Sequence, residues 1–434
     1  MNDKLPAALR AYRLLSAAAT PFAPLLLAQR LRQGKEHRKR LPERRGLARR
    51  TRPNGPLVWV HGASVGEMTA VLPLIERIAA PGLSVLVTSG TVTSGGLAAQ
   101  RLPRGVIHQF VPLDLPRYVR RFLNHWRPDL ALFVEQDLWP NMIVEASRQG
   151  VPMIVVNGRL SEHSFRRWRL LPAMIAGLLE RFDLCLTGTA DDAARFGALG
   201  ARHVIATGNL KFDGPPPPAA PAELKALRAA IGNRPAIAAA STHAGEESAV
   251  IAAHGRLRAH FPGLLTLIAP RHPERGPGIK ELAVAAGLRA ALRSRGEKPD
   301  AATDIYVLDT MGELGLIYRL APMVFVGGSL VPHGGQNPIE AAKLGAAILY
   351  GPHVANFAEI YGALDAARGA ELVADADRLA AAYGAWLNDP AARQRAADAA
   401  RATVDSLSGA LDRTLGALEP YLMQLQLHGR ADHA

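Results

Sequence analysis

The stretch Val324–Phe325–Val326–Gly327–Gly328–Ser329, continued by Leu330–Val331–Pro332–His333–Gly334–Gly335–Gln336 and Asn337–Pro338–Ile339–Glu340–Ala341–Ala342, decides the fold. A short apolar β-branched run, two glycine pairs and a helix-start signal give strand, loop and helix in that order. Asn337 reads as an N-cap, Pro338 as the first helical residue and Glu340 as a capping-box carboxylate. The unpaired N–H groups and positive dipole end of such a helix start favour a phosphate. The bland alternative is a well-capped helix after a mobile loop. Glycines on both sides of His333 weigh for a ligand, because glycine is most useful where backbone meets ligand.

Working outward, the same unit recurs. Leu57–Val60, Leu83–Thr88, Leu130–Val134 and Met153–Val156 read as strands, with helices over Met68–Ala79, Gly95–Arg101 and Met142–Gln149. Beyond the stiff, proline-rich Gly214–Pro221, strands resume at Ala236–Ala240, Leu264–Ile268 and Ile305–Leu308. Near-continuously apolar strands alternating with helices predict parallel, doubly wound sheets. The fold class is therefore α/β, in two similar halves. Gly66–Glu67 opening a helix in the first half is echoed by Gly245–Glu246 in the second. Open α/β sheets bind ligands at the carboxyl ends of their strands, so the post-strand loops are expected to face one another across a cleft.

At 434 residues the chain exceeds one ordinary core, and its 48% apolar and 21% charged content is globular. The single cysteine, Cys185, excludes an internal disulfide and reads as a buried hydrophobe in a strand. The net charge of +13 is concentrated between Arg30 and Arg52. Apolar Tyr12–Ala28 precedes it, but Pro21 and Pro24 and the short length make a poor straight transmembrane helix. An apolar segment in the bilayer interface, with a polybasic collar at anionic headgroups, is the expected anchor on a cytoplasmic leaflet. A true single span and a nucleic-acid arm are the alternatives. No nucleic acid is expected as partner, since no aromatic-interleaved basic strand, helix-turn-helix or zinc-finger signature is present.

The remaining motifs carry the chemistry. In His61–Gly62–Ala63–Ser64–Val65–Gly66–Glu67, Ser64 and Glu67 have capping-box spacing, while Glu67 beside glycines could serve as a general base. Glu135 and Asp137 lie two apart; in an extended segment they point opposite ways, so one at most is expected to line a site. Arg159 and Lys211 place cations at strand ends, and Arg271 with His272 follows Pro270 on a rigid turn. Met311–Gly312–Glu313 gives a loop that a base or ribose can approach. A nucleotide donor is the economical reading. Walker-type, Gly-x-Gly-x-x-Gly, zinc and Asp-x-Asp patterns are missing, so no metal and no cofactor are expected.

Together His61–Glu67, Asp137–Leu138–Trp139–Pro140–Asn141, Gly208–Asp213, Pro270–Pro273 and Gly327–Glu340 closely resemble the 3-deoxy-D-manno-octulosonic acid (Kdo) transferases of lipopolysaccharide assembly. Gly34–Arg38 and Gly351–His353 with Asn356–Phe357 extend the match over nearly the whole chain. The resemblance implies a metal-independent, inverting glycosyltransferase of the GT-B type on the cytoplasmic face of the inner membrane. It implies CMP-Kdo as donor and the tetraacylated lipid A precursor, lipid IVA, as acceptor. By position, Glu67 matches the family's base, and Asp137 and Lys211 match groups at the transition state. Pro270, Arg271, Met311, Gly312, Glu313, Asn337, Pro338, Ile339 and Glu340 match the CMP-binding segments. Ser64, Gly66, Arg159, Ser241 and His272 are further candidate donor or acceptor contacts. The chain departs from the family at Asp137, where glutamate is common, at Gln336, where histidine is, and at Gly158 and Thr187–Gly188. The expected layout is an anchor and collar over 1–52, an acceptor-side domain over 53–213 and a linker over 214–223. A CMP-sugar domain over 224–405 follows, with a helix and tail over 406–434 that packs back on the first domain. Two other readings stay open: a GT-B enzyme using a different nucleotide sugar, and an inert membrane-surface protein of the same fold.

Overall fold

The computed structural model describes residues 5–80 and 82–431; residues 1–4 of the expected anchor and 432–434 of the expected tail lie outside the described residues. The chain divides into two compact units. One holds the described residues up to Gly214 together with those from Ser408 on; the other runs from Pro215 to Leu407.

The first unit is built on seven strands: β1 (Leu57–His61), β2 (Ser84–Ser89), β3 (Ile107–Phe110), β4 (Leu130–Val134), β5 (Met153–Gly158), β6 (Leu184–Thr187) and β7 (Val204–Ala206). All pair in parallel, in the order β3-β2-β1-β4-β5-β6-β7. Alternation within β1 explains the two-layered core. Leu57 and Trp59 enter one apolar cluster, while Val58 and Val60 enter another on the opposite face. The helix Ala410–Ala431 returns to this unit: Leu418 and Leu425 join the second cluster, and the Asp213 carboxylate accepts from the amides of Gly409, at 2.6 Å, and Leu411.

The second unit repeats the design with β8 (Ala236–Thr242), β9 (Leu265–Pro270), β10 (Ala290–Leu292), β11 (Ile305–Val307), β12 (Met323–Val326), β13 (Ala347–Tyr350) and β14 (Ala370–Leu372). These are again all parallel, in the order β10-β11-β9-β8-β12-β13-β14. Each sheet therefore has one place where successive connections run to opposite sides: between β1 and β4, and between β8 and β12. A crevice opens outside the carboxyl ends of strands at such a switch point. The loops there are His61–Glu67 and Glu135–Trp139 in one unit, and Thr242–Gly245 and Gly327–Gln336 in the other.

At the N-terminus, helices Ala7–Ala18 and Ala23–Arg32 bend by 43° across a 3-10 turn at Thr20–Phe22. Among the described residues no single helix is long and apolar enough to cross a membrane, although this bent pair has the length and composition together. One face of the first helix is fastened to the unit beneath it. Leu9 is buried, the Tyr12 hydroxyl donates to Asp114 at 2.9 Å, and Arg13 pairs with Glu145. Leu14 and Leu15 of the first helix, Phe22 of the turn and Leu25 and Leu26 of the second helix are exposed.

Candidate active site

In the first unit, Ser64 caps the helix Val65–Ala79: its hydroxyl accepts from the Glu67 amide at 3.2 Å and donates to the Glu67 carboxylate at 2.7 Å. The other Glu67 oxygen accepts from the Ala63 amide at 2.7 Å. The capping and catalytic readings of Glu67 thus coexist in one side chain. Gly66, in the first turn of this helix, is exposed and crowds nothing. Asp137 arrives from the loop after β4 and lies close enough to Glu67 for the two carboxyl groups to be electrostatically coupled. Behind it, Trp59 Nε1 donates to Thr88 Oγ1 at 2.8 Å, and the same hydroxyl is hydrogen-bonded to His61 Nδ1 at 2.9 Å. His61 Nε2 faces Asp137 Oδ2 at 3.5 Å, and neither atom has a hydrogen-bond partner among the described residues.

Burial decides the protonation of this group. Desolvation holds His61 down at about 4, so its imidazole is neutral at pH 7. Desolvation first, and then the Asp137 charge, raises Glu67, against the hydrogen bonds from Ser64 and Ala63 that lower it. Asp137 is pushed up to about 6, again chiefly by burial. Two carboxyl groups in contact retain one proton more readily than either alone, so they titrate as a pair. A carboxylate held near neutrality can take a hydroxyl proton.

Lys211 does not join Asp137. Its Nζ pairs with Glu135 Oε1 at 2.8 Å. The expectation that at most one of Glu135 and Asp137 is used fails because the segment is not extended: Glu135 has φ 58°, in the left-handed region. That turn lets both carboxylates serve, Asp137 toward Glu67 and Glu135 toward Lys211. Sequence reasoning set Glu135 aside, and no glycine or asparagine there signals the turn. Of the five non-glycine residues with positive φ among the described residues, Glu135, Asn157 and Ser241 all lie at the carboxyl end of a strand. Such strain persists where the surroundings over-determine it, and functional sites are where it concentrates. Asn157 Oδ1 accepts from the Leu210 amide at 2.9 Å and so sets the turn that carries Lys211. Arg159, half-buried beyond it, has no ion-pair partner among the described residues.

In the second unit, Ser241, Pro270, Arg271, Met311, Gly312, Glu313, Gln336, Asn337 and Glu340 line one cavity of about 210 Å³. Pro338 and Ile339 are buried and do not line it. The Arg271 guanidinium is exposed and unpaired among the described residues. Asn337 Oδ1 accepts from the Ile339 amide at 3.0 Å in an Asx turn, but the N-cap is Pro338, not Asn337, and the helix covers only Ile339–Lys343. Five residues make a weak dipole, so Arg271 carries more of any phosphate binding than the helix start does. Glu313 is held by Arg293, 2.6 Å from its Nη2, and by Thr310; the Arg293 hydrogen bonds keep its carboxyl below the usual range. Ligand contacts from this loop therefore fall to the Gly312 backbone and the exposed Met311 thioether. A larger cavity of about 460 Å³ between two helices of this unit is lined mostly by apolar and small side chains, with Arg258 its one charged group.

Glu246, the positional echo of Glu67, is spent differently. Fully buried, it accepts from the amides of His243 (2.8 Å), Gly328 (2.7 Å), Ser329 (2.9 Å) and Leu330 (2.9 Å). It holds the glycine loop in place. Gly327 is obligatory there, since a Cβ would meet the Ser241 carbonyl oxygen at 2.6 Å and Thr242 Cα at 2.7 Å.

Two parallel α/β units, with a polar-lined cavity at the strand ends of one and a half-buried carboxylate pair at the strand ends of the other, define a GT-B glycosyltransferase. The architecture matches a glycosyltransferase from Rickettsia africae with a TM-score of 0.57 at 11% identity, over 86% of this chain and 99% of that one. Residues 39–214 match the family model described as 3-Deoxy-D-manno-octulosonic-acid transferase (kdotransferase). The 3-deoxy-D-manno-octulosonic acid transferase of Bordetella pertussis is 40% identical over 390 residues, 87% of this chain and 90% of its own length. That of Haemophilus influenzae is 35% identical over 395 residues, 89% of this chain and 92% of its own length. The chain belongs to the Kdo transferase family.

The raised pair has a measurable cost. A carboxyl whose folded pKa exceeds its unfolded value of about 4 stabilises the fold below that value and loses this as pH rises through the folded value. For Asp137 the folded value is about 6. Asp137→Asn is expected to raise Tm by about 2 °C or more at pH 7.5, with the gain vanishing toward about pH 3.5 in parallel thermal scans. An equal shift at both pH values would refute the burial account.

Proposed function

We propose that this protein transfers Kdo from CMP-Kdo to a lipid A precursor, with inversion at the anomeric carbon. The observation that carries the reading is the half-buried Glu67–Asp137 pair, held above the ordinary carboxylate range where the loops after β1 and β4 meet. Glu67 removes the proton of an acceptor sugar hydroxyl as the oxygen attacks the anomeric carbon from the face opposite the nucleotide. Asp137, backed by neutral His61, keeps that carboxylate basic. Arg271 and the Asn337 turn receive the departing phosphate of CMP, a preorganised electrostatic role. Met311 covers the base, and Gly312 lets the ribose approach. Lys211, oriented by Glu135, meets negative charge on the reacting sugar.

The test is transfer of labelled Kdo, with CMP-Kdo generated in situ, to lipid IVA in the presence of EDTA. Wild type is expected to form product, and Glu67→Gln to lose about 100-fold or more in rate while still binding CMP. A folded wild type that binds CMP yet transfers nothing would overturn the acceptor assignment. Failure to bind CMP while binding a UDP- or ADP-sugar would favour the alternative donor.

The same reading places the protein at the cytoplasmic face of the inner membrane, lying on it rather than crossing it. Its support is the division of labour in the N-terminal helices: Leu9, Tyr12 and Arg13 fasten inward, and Leu14, Leu15, Phe22 and Leu25 project outward next to a basic collar. Changing those four outward residues to Ser is expected to weaken binding to anionic vesicles about tenfold or more in a flotation assay, with CMP affinity unchanged. Undiminished flotation would refute this anchor.

A further inference from the structure

Three imidazoles from three different loops meet beside the nucleotide cavity of the second unit. His243 follows β8, His272 follows β9, and His333 lies in the glycine loop after β12. The rings of His243 and His333 stack with centroids 4.2 Å apart and planes 25° from parallel, and His272 meets His243 edge-on at 5.9 Å. Gln336, which lines the cavity, reaches His243 Nε2 with its amide nitrogen at 3.2 Å. Glu246 fixes the arrangement from behind through the His243 and Gly328 amides. This is not a core packing feature, because His243 is only half-buried and His272 and His333 are exposed. Apart from the Gln336 contact and Glu274 at 3.7 Å from His272, the ring nitrogens have no hydrogen-bond or ion-pair partner among the described residues.

We propose that His243, His272 and His333 form the seat of the donor sugar's carboxylate, joined to the nucleotide cavity through Gln336. The inference rests on the donor assignment above and adds how the enzyme recognises an acidic sugar rather than a neutral one. Phosphate has its own seat at Arg271 and Asn337 inside the cavity, whereas the imidazoles do not line it. A second anion next to the phosphate is what the sugar acid supplies. The groups facing His243 are Glu246 from its own helix, Arg271 and His272 after β9, and His333 after β12. Of these only Glu246 is acidic, and its oxygens are occupied by four amides. Burial first, and then His333, hold His243 below its ordinary value, so its imidazole resists protonation. An entering carboxylate reverses that balance. The imidazoles take up a proton and donate charge-assisted hydrogen bonds to it.

The test uses the full chain and three probes in calorimetric titrations between pH 6 and 8.5: CMP, a hydrolytically inert CMP-linked sugar acid, and the carboxamide of that acid. Wild type is expected to prefer the acid over the carboxamide about tenfold at pH 6.5. The preference should narrow toward pH 8.5, with proton uptake read as a dependence of the enthalpy on buffer ionisation. His272→Ala/His333→Ala changes two exposed side chains and is expected to bind acid and carboxamide alike, with CMP affinity within twofold of wild type. Two results overturn the inference while leaving the donor reading intact. One is a preference that survives in the double variant; the other is CMP affinity falling in step with that for the acid, which would make the cluster a phosphate seat. A wild type that binds no CMP overturns both.

Discussion

Everything in this protein's chemistry depends on one topological constraint. In a parallel sheet every strand delivers its following loop to the same edge, and where the connections change sides two such loops are left with a crevice between them. The chain uses this twice, at β1/β4 and at β8/β12. Right-handed crossovers and buried apolar strands fix that geometry before any polar residue is chosen. The loops are then free to carry glycines, carboxylates and cations that a core would not accommodate.

The two units answer the same geometric opportunity with opposite uses of a glutamate. Glu246 accepts four backbone amides, which ties three successive residues of a loop to one helix start. Glu67 accepts only one amide and one hydroxyl, and it faces the carboxyl of Asp137. Saturated with donors, a buried carboxylate is a fastening; with fewer donors and a like-charged neighbour, it becomes a base. Asp137 is therefore more than a shorter stand-in for glutamate. It raises Glu67 and is itself steadied by the neutral His61 behind it.

Much of this was legible in the sequence, for a physical reason. Strands buried on both faces read as apolar runs, and the punctuating glycines and prolines mark the loops between them. Helix starts read less well. The helix placed at Met68 begins at Val65, one residue after its Ser64 cap, and the helix at the Asn337 turn is a single short stretch. The cavity's residues were legible as a set because each follows a strand. What was not legible was the hand of a single residue: Glu135 adopts φ 58° with nothing in its side chain to announce it, and that angle assigns Lys211 its partner. Nor does spacing reveal that Glu313 is already claimed by Arg293, or that three histidines from distant loops come together.

The central claim is that Glu67 acts as base because burial and the Asp137 charge raise it above the ordinary carboxylate range. The most direct measurement is the pH dependence of kcat for Kdo transfer by wild type and Asp137→Asn. The account predicts that wild-type activity falls as pH drops through about 6, the value to which Asp137 is raised as part of the pair. It also predicts that this limb moves to lower pH when the neighbouring carboxyl is removed. An acid limb at the ordinary carboxylate value, or one that stays in place in Asp137→Asn, would contradict it.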